Sequence, residues 1–249
     1  LARAGADVSL VARGPRLAAM QANGLTLIEA GERETVHVTA TSDPAELGPQ
    51  DYVVITLKAH SVPGVVDTMQ PLFGPSTTAV MGVNGVPWWF TTGLVGAPAG
   101  LTLDAVDPAG AISEALPASQ VIGCVVHLAG STRAPGQIQL NLGNRLILGE
   151  PDRQNTDRLA EVVETFRLAR FEVEPSSNIH ADIWFKLWGN MTMNPVSALT
   201  GAWSDAVLED PLLRGFLSAV MAEAVVVGGK IGLPIADEPE SRHKVTEKL

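Results

Sequence analysis

A lysine and two asparagines recur at helical spacing within one very apolar stretch of this sequence. In the segment from Ala181 to Gly201, Lys186, Asn190 and Asn194 stand at positions i, i+4 and i+8. At about 100° per residue, their side chains would lie within roughly 80° of arc on a helix. Most of the remaining residues in the segment are apolar, which is typical of a buried helix. The pattern therefore predicts a buried helix that carries one polar row.

A buried polar row needs partners, because removing an ammonium and two amides from water costs on the order of several kcal/mol unless hydrogen bonds replace the lost ones. One interpretation is a lysine that donates a proton to a polar substrate, which the two carboxamides orient. The other interpretation is a structural polar seam between packed helices. Pro195 disfavours the α conformation at Asn194, so we expect the helix to kink or end near this point.

The first half of the sequence alternates strand-like and helix-like segments. Residues 6–12, 51–57 and 77–83 are predicted strands, and the second and third are nearly continuous apolar runs, as in a parallel sheet covered on both faces. A helix is predicted from Ser61 to about Leu72, with a proline in its first turn. This alternation is typical of a doubly wound, Rossmann-like α/β layer.

Polar side chains follow three of the predicted strands at the point where each strand ends. They are Arg13, Lys58 and Asn84. Each alone is compatible with an exposed loop, but ligands bind doubly wound sheets outside the carboxyl ends of the strands, so three together indicate a binding edge. Arg13 follows the strand over residues 6–12, which takes the place of the second strand of a dinucleotide fold. The residue at that position meets the adenosine ribose, and an arginine there accommodates the 2′-phosphate of NADP.

The rest of the chain predicts a change of architecture. A β-hairpin is expected over residues 24–42, three short strands over 119–149, a helix over 152–170 and a last strand over 171–176. The later residues are helix-like throughout. We therefore predict an α/β Rossmann-like, doubly wound NADP-binding domain over residues 1–176 and an all-helical substrate and catalytic domain over residues 177–249.

Composition and charge restrict the possible partners. The net charge of −10 and the pI near 4.9 argue against binding to nucleic acid or to an anionic membrane surface. No uninterrupted apolar run reaches the roughly 18 residues that span a bilayer. The single cysteine, Cys124, excludes an intrachain disulfide within this sequence and fits a reducing, cytoplasmic compartment. No spacing typical of metal ligands is present, so no metal site is expected.

Five segments together resemble the ketopantoate reductase (2-dehydropantoate 2-reductase) family. They are LARAGADVSLVARG, DYVVITLKAHSV, MGVNGVPWW, IGCVVHLAGSTRAPG with RLILGE, and DIWFKLWGNMTMNPVSALTG. The most specific part is the K-x3-N-x3-N-P pattern, combined with LK at one strand end and NG at the next. The resemblance implies an NADP-dependent oxidoreductase with its site in a cleft between two domains. It further implies hydride transfer from NADPH to ketopantoate, which gives pantoate for pantothenate and coenzyme A biosynthesis.

The resemblance also implies roles for individual residues. Lys186 would be the general acid that protonates the developing alkoxide, and Asn190 and Asn194 would orient the lysine and the polar groups of the substrate. A homodimer is plausible, because reductases of this build often pair.

The remaining implied roles concern the cofactor. Asn84 would lie beside the nicotinamide and the substrate, Lys58 beside the cofactor, and Arg13 at the 2′-phosphate. The resemblance thus assigns to all three strand-end residues a place around NADPH.

The sequence departs from the family pattern in ways that leave alternatives open. The family's first strand and its G-x-G-x-x-G turn precede Leu1, and a substrate-binding Ser and Glu follow Leu249, so we expect a part of a longer protein with a break in its sheet. Trp88, Trp89 and Ser204 would reshape the pocket for another 2-oxo or 3-hydroxy acid. A redox-responsive regulator that binds the dinucleotide without catalysis is the third alternative, and the lysine row argues against it.

Overall fold

The computed structural model describes residues 1–94, 97 and 101–247. Their strands are β1 Ser9–Val11, β2 Leu25–Glu29, β3 Glu32–Val36, β4 Thr39–Thr41, β5 Tyr52–Ile55, β6 Thr78–Met81, β7 Val121–Ala134, β8 Gln137–Gly149 and β9 Glu172–Pro175. Their α-helices are α1 Gly14–Asn23, α2 Ala111–Ala115, α3 Asp157–Leu168, α4 Ile179–Thr200, α5 Ser204–Glu209, α6 Pro211–Lys230 and α7 Pro239–Thr246.

The larger sheet is mixed and contains seven strands in the order β3-β2-β8-β7-β6-β5, with β9 paired to β8. Strands β5, β6 and β7 run parallel, whereas β7 and β8 form a long antiparallel pair. The predicted hairpin is present as β2 and β3, and its two-residue turn places Ala30 and Gly31 at φ 49° and 87°. Both turn residues have positive φ, as in the hairpin turns that match the strand twist.

The first and fourth strands form a separate, two-stranded parallel sheet, in which Ser9 pairs with Thr39. Strand β5 is the last strand on its side of the larger sheet, and none of the strands in the described residues connects it to this pair. Val11 and Val54, at the two edges, are 47% and 41% exposed. The described strands therefore form two separate sheets.

Beyond β9 the described residues form the four helices α4 to α7 and their connections, which with the preceding sheet confirms the predicted fold class. Helix α4 packs on β7, β8 and α6. Trp188 of α4 is fully buried, and its indole N–H donates to the Met221 carbonyl of α6 over 2.9 Å. The close contact with β7 requires Gly123, because a Cβ at that position would lie 2.8 Å from side-chain atoms of Ile179 and Trp89. The exact division into domains stays a prediction.

Helix α4 does not end at Pro195, contrary to the expectation from sequence. It continues to Thr200 and ends at Gly201, which has φ 70°. The proline cannot donate a hydrogen bond to the carbonyl of Met191, four residues earlier. The turns beyond it are nevertheless held by packing, because Val196 lies in a buried cluster with residues of α5 and α6. Tertiary packing thus overrides the local preference.

Two further expectations about local structure were wrong. The three strands expected over residues 119–149 are two long strands, since the expected break near Gly143 is a bulge with φ 68° inside β8. The helix expected from Ser61 to Leu72 is replaced by turns and two 3-10 helices, Ala59–Ser61 and Asp67–Leu72. Pro63, Gly64 and Pro71 explain this, because they remove donors or favour other backbone conformations.

Helix α6 is long and apolar enough to cross a membrane by length and composition alone, with a mean hydropathy of 1.6. Charged residues interrupt this segment in the sequence, so it contains no uninterrupted apolar run of that length. One side of α6 packs in the core through Leu217, Met221, Ala224 and Gly228.

Candidate active site

An open cleft of about 460 Å³ lies between α4, the loop after β6 and the first half of β7. One face of α4 forms its third wall. The lining residues are Val83, Asn84, Gly85, Cys124, Val125, Ile183, Lys186, Leu187, Asn190, Met191, Asn194 and Pro195. The cleft therefore brings together Lys186, both asparagines of the row and the asparagine that follows β6.

The Lys186 ammonium connects α4 to β7 and to the loop after β6. Its Nζ donates to the side-chain oxygen of Asn84 over 2.7 Å and also to the backbone carbonyl of Val126 in β7. Asn84 lies three residues past the end of β6, so the strand end fixes where the acceptor stands. An ammonium has three donors, and these two acceptors leave one for a ligand in the cleft.

Burial lowers the pKa of Lys186. The Cys124 sulfur acts in the opposite sense, and the positive charge of Arg242 lowers the pKa further. None of the ion pairs among the described residues involves Lys186. The lysine is therefore held by neutral oxygens rather than by a carboxylate, which keeps its charge available to an anionic or developing-anionic ligand.

The two asparagines of the row differ in environment. Asn190 is half-buried in the cleft wall, one helical turn past Lys186, whereas Asn194 is exposed at the cleft's outer end. Both face the same space as the ammonium. Their carboxamides offer donors and acceptors that hold a polar ligand against Lys186.

Arg13 and Lys58 do not line this cleft. Arg13 is exposed at the start of α1, directly after β1, and Lys58 is exposed at the start of the 3-10 helix that follows β5. Each lies past the carboxyl end of a parallel strand, although β1 and β5 belong to different sheets. Two exposed cations and the Asn84 amide at such ends suit the phosphates and ribose of a dinucleotide, so these residues fit that cofactor.

Cys124 lines the cleft but is only 7% exposed. Burial raises the pKa of its thiol to about 12, even though the nearby Lys186 charge lowers it. The side chain therefore remains a neutral thiol at physiological pH and contributes a small apolar surface rather than a nucleophile.

A second, largely apolar pocket of about 20 Å³ adjoins the cleft, and both are lined by Val83, Asn84, Cys124 and Ile183. Trp88 and Trp89 are buried in its wall. Ser204, the other residue expected to shape the pocket, begins α5 and lines neither space.

Two contributors to the site have no clear signal in the sequence. The Val126 carbonyl is a backbone atom of an apolar strand, so no side-chain pattern reveals it. Arg242 of α7 acts on Lys186 from 56 positions further along the chain. The one available signal is Gly189, since a glycine inside an apolar helix indicates that another group approaches closely.

The amino-acid sequence matches a known protein family. Residues 1–89 match the family model described as "Ketopantoate reductase PanE/ApbA", and residues 178–249 match its C-terminal counterpart. The sequence is also 44% identical over 227 residues to the 2-dehydropantoate 2-reductase of Mesorhizobium japonicum, covering 91% of this chain and 70% of that protein. The chain belongs to the ketopantoate reductase family.

Solved structures support the family assignment. A protein from Ralstonia solanacearum, described as a candidate ketopantoate reductase, is 49% identical in sequence and superposes with a TM-score of 0.95. The match covers all of this chain and 77% of the Ralstonia chain. The 2-dehydropantoate 2-reductase of Geobacter metallireducens is 23% identical in sequence and superposes with a TM-score of 0.83. The match covers 99% of this chain and 76% of the Geobacter chain. The second likeness shows the shared fold.

Proposed function

We propose that this protein catalyses the NADPH-dependent reduction of 2-dehydropantoate (ketopantoate) to pantoate, in pantothenate and coenzyme A biosynthesis. One observation carries the proposal: the Lys186 ammonium is held by Asn84 and the Val126 carbonyl in the cleft wall, with one donor left for a ligand. The name of the 44% identical relative supports this choice of substrate.

The residues of the cleft suit the reduction of a 2-oxo acid. When bound, a reduced nicotinamide supplies the hydride that adds to the ketone carbon. Negative charge then develops on the ketone oxygen, where the Lys186 ammonium stabilises it and donates a proton. The same cation attracts the carboxylate of the acid. Asn190 and Asn194 orient the substrate's polar groups, and Asn84 keeps the lysine in place.

For the cofactor, we propose that Arg13 binds the 2′-phosphate, and that Lys58 and Asn84 contact the rest of the dinucleotide. Residues 1–176 would form the cofactor domain and residues 177–249 the domain that carries the lysine. We expect Arg13→Ala to raise KM for NADPH about tenfold or more and to leave KM for NADH unchanged, because a bidentate charge-assisted contact to phosphate is lost. Arg33→Ala, an exposed arginine on β3, is the control.

The reaction is tested by following NADPH oxidation with the purified protein and a panel of 2-oxo acids. We expect the highest kcat/KM on 2-dehydropantoate. A clear preference for another 2-oxo acid would change the substrate but keep the chemistry. Binding of NADPH without turnover on any acid would instead support a regulator. We also propose that the protein works in the cytoplasm as a homodimer. A measurement of its molecular mass in solution checks whether it is a dimer.

A further inference from the structure

The guanidinium of Arg242, in α7, contacts α4 at Gly189. A Cβ built on Gly189 would lie 2.8 Å from Nη2 and 3.0 Å from Cζ of Arg242, and closer still to Nε. Side chains do not tolerate such distances, so the glycine makes this contact possible. Gly189 lies three residues after Lys186 and directly before Asn190, which places the guanidinium beside the proposed catalytic row.

Arg242 has no counter-charge in the described part of the chain. Its Nε is buried without a hydrogen-bond partner, and none of the ion pairs among those residues includes it. Arg214 of α6 shows the contrast, because it pairs with Glu240 and Glu247. A partly buried cation without a carboxylate is costly. The carboxylates at this end of the molecule thus neutralise Arg214 and leave Arg242 unpaired.

Arg242 and the cleft lie on opposite sides of Lys186. At about 100° per residue, Gly189 is roughly 60° from Lys186 in one sense around α4, and Asn190 is roughly 40° in the other. The groups that act on the ammonium are therefore Arg242 from α7 behind it, Cys124 and the Val126 carbonyl from β7, and Asn84 in front. The pKa of His127, also on β7, is lowered mainly by burial and further by the charges of Lys186, Arg145 and Arg242.

We propose that Arg242 is a positioning residue, whose guanidinium on Gly189 repels the Lys186 ammonium towards Asn84 and the cleft. This inference rests on the proposed role of Lys186 as proton donor. The same charge lowers the pKa of Lys186 and so makes it a stronger acid at neutral pH. Arg242 needs no contact with the substrate for either effect.

Replacement of the charge tests the proposal. We expect Arg242→Gln to lower kcat roughly tenfold, a part of the 10²- to 10⁴-fold that a general acid contributes. The alkaline limb of the kcat profile should move to higher pH, because the repulsion on the lysine is gone. Arg242→Lys keeps a cation and should retain more activity. Lys244→Gln, an exposed cation two residues further along α7, is the matched control and should change neither quantity.

Gly189→Ala gives an independent variant. The added Cβ meets the end of a flexible side chain, so the guanidinium should move while the helix, for which alanine is favourable, stays folded. We expect Gly189→Ala to reproduce the altered pH profile of Arg242→Gln. Combined with Arg242→Gln, it should add nothing further, because the group that it displaces is already absent.

A readout without turnover separates this inference from the proposed function. Lysines are reductively methylated with ¹³C-formaldehyde, Lys186 is assigned by its absence in Lys186→Ala, and its titration is followed by NMR. We expect Lys186 to titrate at higher pH in Arg242→Gln than in the unsubstituted protein. The same shift without reduction of any 2-oxo acid would support the positioning and refute the reaction. An unchanged Lys186 titration with only a lower Tm would overturn the inference and leave Arg242 a structural residue.

Discussion

Helix α4 carries two basic side chains, in different surroundings, whose pKa values are both lowered. His180, in its first turn, has no solvent exposure and lies among the rings of Trp89 and Phe90, where burial lowers its pKa to about 4. Lys186, less than two turns further on, is half-buried and bound to two oxygens beside the cleft. Desolvation is the largest cause of both shifts.

A lowered pKa therefore does not by itself indicate a functional residue. His180 is neutral and enclosed by aromatic rings and therefore acts as a core side chain. Lys186 instead donates hydrogen bonds to Asn84, in the loop after β6, and to the Val126 carbonyl of β7, and it faces the cleft. What separates them is the access to the cleft and the nature of the partners, so substitutions should affect activity at one position and stability at the other.

The largest expected effect is on activity at Lys186. Lys186→Ala should lower kcat about 10²- to 10⁴-fold, because the proton donor and the cation that stabilises the oxyanion are both lost. The free energy of unfolding should stay the same or rise, since a partly buried ammonium is removed. Steady-state kinetics and denaturant unfolding measure the two quantities. A variant with normal kcat would make Lys186 a structural residue like His180.

The second effect is on the acid stability that His180 controls. Because its folded-state pKa lies below the unfolded value of 6.5, its contribution is complete above pH 6.5 and is lost as the pH falls towards 4. The loss amounts to roughly 3 kcal/mol of unfolding free energy. His180→Leu should flatten this pH dependence and keep kcat near normal, whereas His37→Leu, at an exposed site, should leave it unchanged. A flat wild-type curve between pH 6.5 and 4 would contradict the account.

The third effect concerns the acceptor that distinguishes the two sites. Asn84→Ala removes one hydrogen bond from the Lys186 ammonium and should lower kcat/KM about 10- to 100-fold, since a bond to a charged group contributes about 1.5–3 kcal/mol. Asn84→Asp should move the alkaline limb to higher pH, because a carboxylate stabilises the ammonium. If both variants behaved like the unsubstituted protein, the Asn84 contact would have no role in catalysis.

The smallest effect should distinguish the two asparagines of the row. Asn190→Ala should raise KM for the acid several-fold more than Asn194→Ala, because Asn190 is half-buried beside Lys186 and Asn194 is exposed. If neither substitution changed KM for the acid, the two asparagines would have no role in orienting the substrate. Separate KM and kcat values for the two variants decide this.

The polar row of α4 could be predicted from the sequence because a helix fixes the relative directions of residues 186, 190 and 194 by local geometry. Its acceptors could not. The Val126 carbonyl reaches Lys186 only because β7 passes beneath α4, and Arg242 reaches it only through the packing of α7 on Gly189. Both contacts join residues more than 50 positions apart, where pattern reasoning has no information.

The local predictions failed for related reasons. Pro195 carries a strong local preference, but the buried cluster around Val196 keeps the helix intact. Between residues 61 and 72 the local preference decided the structure instead. The proline and glycine residues there prevent an α-helix, because the apolar pattern alone does not suffice to form one. The balance between local preference and packing is settled only in the folded molecule.

The pH dependence of kcat/KM for reduction of 2-dehydropantoate with NADPH decides whether Lys186 is the proton donor. We expect the rate to fall as the pH rises through one ionisation, at a pH below the ordinary lysine pKa of 10.5. That limb should be absent from the residual activity of Lys186→Ala. A rate that does not change up to the ordinary lysine value, or an identical limb in Lys186→Ala, would contradict the assignment of Lys186 as proton donor.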